Sequence, residues 1–225
     1  MILVPTTGPS DWQRLLAEPG KQWKTGYSAR SIAYCWEAAD GLPAEIAALF
    51  ENSTDFDDGS PEVLIAVPEW KVPLPGGARD SQNDVFVLAR SGEQTISMTV
   101  EGKVNEAFGP TLDDWFSLAT PGKTKRLAYL RQILGLPESL PGNLHYQLLH
   151  RTGSAVIEAN RFGTTAAAMI VHSFSPEKKW FDAYALFVEL MGGVQVSGEL
   201  VAANLPGGRP LYLGWAVGDP KFLSA

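Results

Sequence analysis

Two segments of the chain, Asp84–Arg90 and Thr95–Val104, alternate apolar and polar residues on either side of the turn Ser91-Gly92-Glu93-Gln94. Alternation of period two marks strands with one buried face, and a short turn between two such strands makes an antiparallel hairpin. Its register is strict, because a slip of one residue sends every side chain to the wrong face. An even loop centred on Gly92 and Glu93 sets Val85 across from Val100, Val87 from Met98 and Ala89 from Ile96. All six are apolar, whereas an odd loop would pair apolar with polar residues. The pattern therefore selects the even loop. The same register sets Asp84 across from Glu101 on the other face, with Lys103 two residues farther along on that side.

Directly opposed side chains have Cβ atoms roughly 4.5–5.5 Å apart, a separation at which like charges repel. Two facing carboxylates call for a proton, a basic neighbour or a metal ion between them. Mg²⁺ takes oxygen ligands from one or two carboxylates and keeps several waters. Lys103 alongside could hold or deprotonate one such water. That set suits attack on a phosphodiester, where a cation screens the phosphate and lowers the pKa of water.

The rest of the chain supplies a frame for this hairpin. Ser28 to about Ala39 reads as a helix, and Pro43 opens another through Phe50. Asn52–Pro61 is polar and acidic, hence a loop. Val63–Val67 is a short apolar run, expected to be a strand buried on both faces. Thr111 with Asp114 forms a capping box, a basic helix covers Lys123–Leu134 and stops at Gly135, and Leu144–Arg161 reads as a longer helix. Ala166–Phe174 is an apolar strand. Ser175-Pro176 then starts a helix whose Trp180, Phe181, Tyr184, Phe187, Val188 and Met191 form a core stripe. Val194–Val201 and Leu211–Val217 read as final strands. The expected fold class is α/β, an α+β mixed sheet flanked by helices, in one domain spanning residues 1–225.

Composition narrows the function classes. With 225 residues, 45% of them hydrophobic and 19% charged, the chain has ample material for a core and is not a disordered segment. One cysteine, Cys35, excludes a disulfide framework and a multi-thiolate zinc site, and packing is its simplest role. The start MILVPTTGPSDW has no basic flank, and the longest apolar stretch, Ala166–Val171, is too short to span a bilayer. A soluble cytoplasmic protein without membrane contact is expected. The net charge of −7 argues against unspecific coating of nucleic acid. Lys123, Lys125, Arg126 and Arg131 nevertheless form a dense basic stretch, either phosphate-facing or a solvated helix face.

The order of elements, with Asn83-Asp84 opening the second strand and Glu101-Gly102-Lys103 on the third, resembles the PD-(D/E)XK nuclease superfamily over about residues 28–174. The resemblance implies a restriction-endonuclease-like core of helix, three strands, helix and strand, with residues 175–225 as a C-terminal addition. It implies Mg²⁺ (or Mn²⁺) held by Asp84 and Glu101, with Lys103 as catalytic base. Many members add a Glu from the first helix, here Glu37, and some a Gln on the helix after the third strand, here Gln147. The chain departs from the pattern at Asn83, where the name-giving Pro would stand, and at Arg151, where certain branches have Tyr. These departures leave the nuclease subtype open.

The implied activity is metal-dependent hydrolysis of DNA or RNA, with Gln147, Arg151, Lys123, Lys125 and Arg126 on backbone phosphates. Nucleic acid is the expected partner, and a homodimer is compatible with it. The alternative is a catalytically inactive nuclease-fold protein with a binding or assembly role, motivated by the acidic balance. The tripeptide (Asp/Glu)-x-Lys also occurs at Glu69–Lys71, Glu177–Lys179 and Asp219–Lys221. Glu69–Lys71 is extended but lies between Pro68 and Pro73 with no acid-bearing strand before it, so the Asp84 hairpin is preferred. On the helix Leu144–Arg161, the polar row Gln147, Arg151, Ser154, Glu158 either faces the phosphate or forms an Arg151–Ser154–Glu158 hydrogen-bond chain on a solvated face. His145, His150 and His172 have no metal-pair spacing.

Overall fold

In the computed structural model, which describes residues 6–56, 59–194 and 197–225, the hairpin pairs as its alternation dictates. Strands β2 (Ser81–Ser91) and β3 (Gln94–Lys103) run antiparallel with Val85 opposite Val100, Val87 opposite Met98 and Ala89 opposite Ile96. All six are buried. Burial of one complete face is what fixes the register, since each alternative would bring polar side chains into the same layer.

β1 (Glu62–Val72) pairs antiparallel with β2 and differs from its expected form. The apolar run is the beginning of an 11-residue strand at the edge of the sheet, not a short strand covered on both faces. Leu64 and Ile65 are exposed. The strand also continues through Pro68, which an edge tolerates because one side of its backbone needs no donor. A short apolar run does not by itself distinguish an edge from a centre.

Six strands form one mixed sheet in the order β1-β2-β3-β4-β6-β5. β4 (Ala166–Ser173) lies parallel to β3 and to β6 (Pro210–Val217), and β5 (Leu200–Asn204) closes the far edge antiparallel to β6. β4 is buried along its whole length, as an apolar strand covered on both faces must be. The parallel step from β3 to β4 demands a crossover, supplied by α4 (Leu112–Phe116), α5 (Pro121–Leu134) and α6 (Tyr146–Phe162). Thr111 caps α4 by accepting from Asp114 N at 3.3 Å, and Gly135 ends α5 in the left-handed conformation.

The sheet separates two apolar layers. On one face α2 (Ser28–Ala38) and α3 (Ala44–Glu51) pack Ile32, Trp36, Leu49 and Phe50 against Val85, Val87, Met98 and Ile170. On the other, α6 and α7 (Phe181–Leu190) pack Leu148, Leu149, Tyr184 and Phe187 against Met169, Val171 and Trp215. A short helix α1 (Pro19–Gln22) precedes α2. α7 begins later than Ser175 because Lys178 and Trp180 adopt positive φ, so the chain turns before the helix starts. The expected strand Val194–Val201 begins only at Leu200. Gln195 and Val196, like Asp57 and Asp58 of the acidic loop and the first five residues, lie outside the described residues. Among the described residues no helix is long and apolar enough to cross a membrane.

Candidate active site

The ladder between β2 and β3 ends at Val85 and Val100, and the next residues on each strand form the site. Asp84 Oδ2 accepts from Gly102 N at 2.7 Å, so a side chain takes up the bond that a continuing ladder would have made. Glu101 and Lys103 project from β3 toward α6. There, Gln147 and Arg151 stand four residues apart on one helical face. Glu101 Oε1 accepts from Lys103 Nζ at 2.6 Å and from Gln147 Nε2 at 2.7 Å, and Oε2 accepts from Arg151 Nε. Lys103 Nζ also donates to Gln147 Oε1 at 3.1 Å and lies 4.9 Å from the centre of the Phe108 ring. Glu101 and Lys103 are each only 3% exposed.

A third carboxylate joins them from β1. The pairs Pro68–Val85 and Trp70–Asn83 put Glu69 across from Asp84. Glu69, Asp84 and Glu101 thus form a row over three adjacent strands. Glu69 has a φ of 53°, left-handed and unfavourable for a residue with a side chain, and its Oε2 accepts from Gln82 Nε2 at 2.7 Å.

The electrostatics follow from burial and from this row. Burial, reinforced by the charge of Asp84, pushes the Glu69 carboxyl up to about 8. Burial and the charge of Glu101 push Asp84 up to about 7. Burial acts on Glu101 in the same direction, but Arg151 and Lys103 outweigh it and hold that carboxyl below its ordinary value. Three carboxylates face two cations. One negative charge is left uncompensated in a buried place, where a proton or a cation is favoured.

Asp84, Glu101, Lys103, Gln147 and Arg151 line a cleft of about 350 Å³ whose opposite wall carries Tyr27, Ser28 and Ala29 at the start of α2. Glu106 fastens that wall to the loop after β3, accepting from Ser28 N at 2.9 Å and from Val104 N at 3.0 Å. Asp84 Oδ1 makes no hydrogen bond among the described residues, which leaves an acceptor at the cleft. Oxygen donors are the ligands that a hard divalent cation takes.

Other residues singled out in the sequence lie elsewhere. Glu37 does not join the cluster. Its Oε1 accepts from Thr6 Oγ1 at 2.6 Å and Trp12 Nε1 at 2.7 Å. The cleft meets the first residues of α2, and Glu37 lies nine residues on, about 13 Å along a helix. Lys123 and Arg126 spend their donors on backbone carbonyls, Lys123 on Leu118 at 2.9 Å and on Trp115, Arg126 on Leu74, Pro75 and Gly77. They tie α5 to neighbouring loops; Lys125 is exposed, and none of the three lines the cleft. Arg151 serves Glu101, Ser81 Oγ (3.3 Å) and His150, so its fork supports the carboxylate rather than presenting itself to a phosphate. The chain Arg151–Ser154–Glu158 does not form, since Ser154 donates to the carbonyl of His150 and Glu158 pairs with Arg161.

Glu69 is the site residue that sequence reasoning passed over. The signal was present in Glu69–Lys71. It is set aside there for want of an acid-bearing strand before it, whereas the acid that matters follows it, on β2 paired alongside β1 (Glu62–Val72). Residues 5–220 match the family model described as Domain of unknown function (DUF6946). No curated protein and no solved structure matches the chain.

Proposed function

The chain belongs to the DUF6946 family, and we propose that it is a divalent-metal-dependent phosphodiesterase acting on nucleic acid, built on a core like that of the PD-(D/E)XK nucleases. The observation that carries this reading is the convergence of Asp84, Glu101 and Lys103 on one cleft. Asp84, with its open Oδ1, and Glu69 beside it are the residues that would hold the cation, with Glu101 completing the row. Such an ion, Mg²⁺ or Mn²⁺, supplies screening of the phosphate charge and acidification of water.

The chain's own groups then divide the remaining work. Lys103 is held by Glu101 and Gln147 with its ammonium at the cleft, a donor that orients the attacking water and steadies the negative charge developing on the phosphate. Arg151 keeps Glu101 ionised and in place. Gln147 accepts from Lys103 and donates to Glu101, which fixes their mutual geometry. It does so without adding charge.

A second reading has its own support. Both oxygens of Glu101 are taken by Arg151, Lys103 and Gln147, so the positive charge that facing carboxylates require is already partly provided from within. A scaffold that retained the fold for binding or assembly would be organised in this way. Cleavage assays separate the two. Plasmid DNA, linear DNA and RNA are incubated with the protein and Mg²⁺ or Mn²⁺, alongside Lys103→Ala and Asp84→Asn. The phosphodiesterase reading expects metal-dependent cleavage that falls about 10²-fold or more in both variants. Equal cleavage by all three proteins refutes the assignment, and cleavage by none favours the scaffold.

A further inference from the structure

On the opposite face of the sheet from the carboxylate row, three side chains from three elements meet. Cys35 lies in the second half of α2, Glu45 in the first turn of α3 and His172 near the end of β4. His172 Nε2 is 2.7 Å from Glu45 Oε1, and Cys35 Sγ is 3.6 Å from the same oxygen. One sulfur, one oxygen and one nitrogen atom thus all lie within 4.8 Å of one another. His172 is wholly buried, Cys35 nearly so, and the Glu45 side chain is 20% exposed.

Roles other than ligation fit this geometry poorly. A cysteine nucleophile needs an imidazole against its thiol, and here Glu45 stands between the two. Burial, with the neighbouring Glu45 charge, also drives the free thiol well above its ordinary value, the reverse of activation. Plain packing would not gather a thiol, a carboxylate and an imidazole in an apolar layer. Moreover His172 Nδ1 has no hydrogen-bond partner among the described residues. In the ion-free chain Nε2 donates to Glu45 Oε1, and with Nδ1 unpartnered the ring proton can move to Nδ1 when an ion takes its place at Nε2.

We infer that Cys35, Glu45 and His172 form a site for a borderline divalent ion of the Zn²⁺ class, separate from the oxygen-lined cleft and independent of the phosphodiesterase reading. Sulfur, imidazole and carboxylate are the mixed donor set such ions prefer, whereas Mg²⁺ takes oxygen alone. A thiolate and a carboxylate carry two negative charges, which balance the ion. On binding, the thiol proton leaves to solvent, the ring proton resides on Nδ1, and three protein ligands leave a fourth position for water. That position opens on a cleft of about 420 Å³ lined by Cys35, Leu42, Glu45, Asp219, Lys221 and Phe222. Asp219 and Lys221 pair with each other at 2.8 Å, and Asp40 on the same cleft leaves the entrance with a negative charge that suits a cation.

Cobalt is the direct probe, because Cys35 is the only cysteine of the chain and any thiolate-to-metal absorption must come from it. The full chain, stripped with chelator, is titrated with Co²⁺ and then with Zn²⁺. The site predicts a near-ultraviolet charge-transfer band that saturates at one ion per chain and is displaced by Zn²⁺. Cys35→Ala abolishes the band, and Glu45→Gln, which keeps the thiol, weakens affinity by about 10-fold or more. Asp84→Asn leaves the band unchanged, since the donors on its face are oxygens. Absence of the band in the unaltered chain at saturating Co²⁺, saturation at two chains per ion, or undiminished affinity in Glu45→Gln overturns the site, whether or not Cys35→Ala folds.

Discussion

The Asp84 carboxylate accepts the backbone amide of Gly102 at 2.7 Å, at the point where the ladder between β2 and β3 stops. The contact holds one acid of the hairpin between its neighbours Glu69 and Glu101. It also fixes how closely β3 may approach, because a Cβ at position 102 would lie 3.2 Å from Asp84 Oδ2 and 3.2 Å from Ile32 Cδ1. The middle residue of Glu101-Gly102-Lys103 is therefore part of the site's construction, although it carries no chemistry.

Gly102→Ala is expected to destabilise the fold by about 1–3 kcal/mol through overpacking against Ile32. It should also weaken Mn²⁺ binding, because the added Cβ crowds Asp84 Oδ2 as closely as it crowds Ile32. Urea denaturation and calorimetric titration of the same preparation check the two effects separately.

The raised carboxyls give the metal-free chain a defined pH dependence. Asp84 moves from 3.8 to about 7 and Glu69 from 4.5 to about 8, so the folded chain binds more protons than the unfolded chain between those limits. Their contribution to stability is fully present below the ordinary carboxylate range and is lost as pH rises through about 7 and 8. Glu101, held low by Arg151 and Lys103 against burial, acts with the opposite sign and only in more acid solution. Unfolding free energy in chelator should thus decline from pH 5 to pH 8. Added Mn²⁺ should restore more at pH 8 than at pH 5. A flat profile would contradict the buried row.

Arg151→Met removes a cation from a buried carboxylate. The expected loss is about 3–5 kcal/mol, since Glu101 is left ionised or must take up a proton. The double variant Glu101→Gln with Arg151→Met removes both charges and should recover most of that loss. Thermal or urea unfolding of the two variants gives the comparison.

Glu37→Met, which removes the acceptor and keeps the length of the side chain, tests the reassignment of that residue. Its bonds to Thr6 and Trp12 anchor the N-terminal segment to α2, so about 1–3 kcal/mol of stability should be lost. Cleavage rates and Mn²⁺ affinity of the folded protein should match those of the unaltered chain.

What could be read in the sequence and what could not divides along physical lines. The register of β2 and β3 was legible because period-two burial permits one pairing, and that pairing alone brings Asp84, Glu101 and Lys103 together. Gln147 and Arg151 were legible as one helical face but not in their roles, since their partner sits 46 and 50 residues away in sequence. Glu69 was legible as extended between Pro68 and Pro73 but was set aside for want of an acid-bearing strand before it, and only the pairing of β1 with β2 puts it across from Asp84. Glu37 was carried over by resemblance, and the length of α2 places it a helix away from the cleft. Cys35, Glu45 and His172 leave no spacing signal at all. Ten residues separate the first two and 127 the last two, so only the sheet brings them together.

The measurement that bears most directly on the carboxylate row is calorimetric titration of the chelator-treated protein with Mn²⁺, with Zn²⁺ pre-loaded to fill any sulfur-containing site. The account predicts one further ion per chain, with binding lost in Asp84→Asn, weakened in Glu69→Gln and retained in Lys103→Ala. Binding unchanged by Asp84→Asn, or no binding at all, would contradict it.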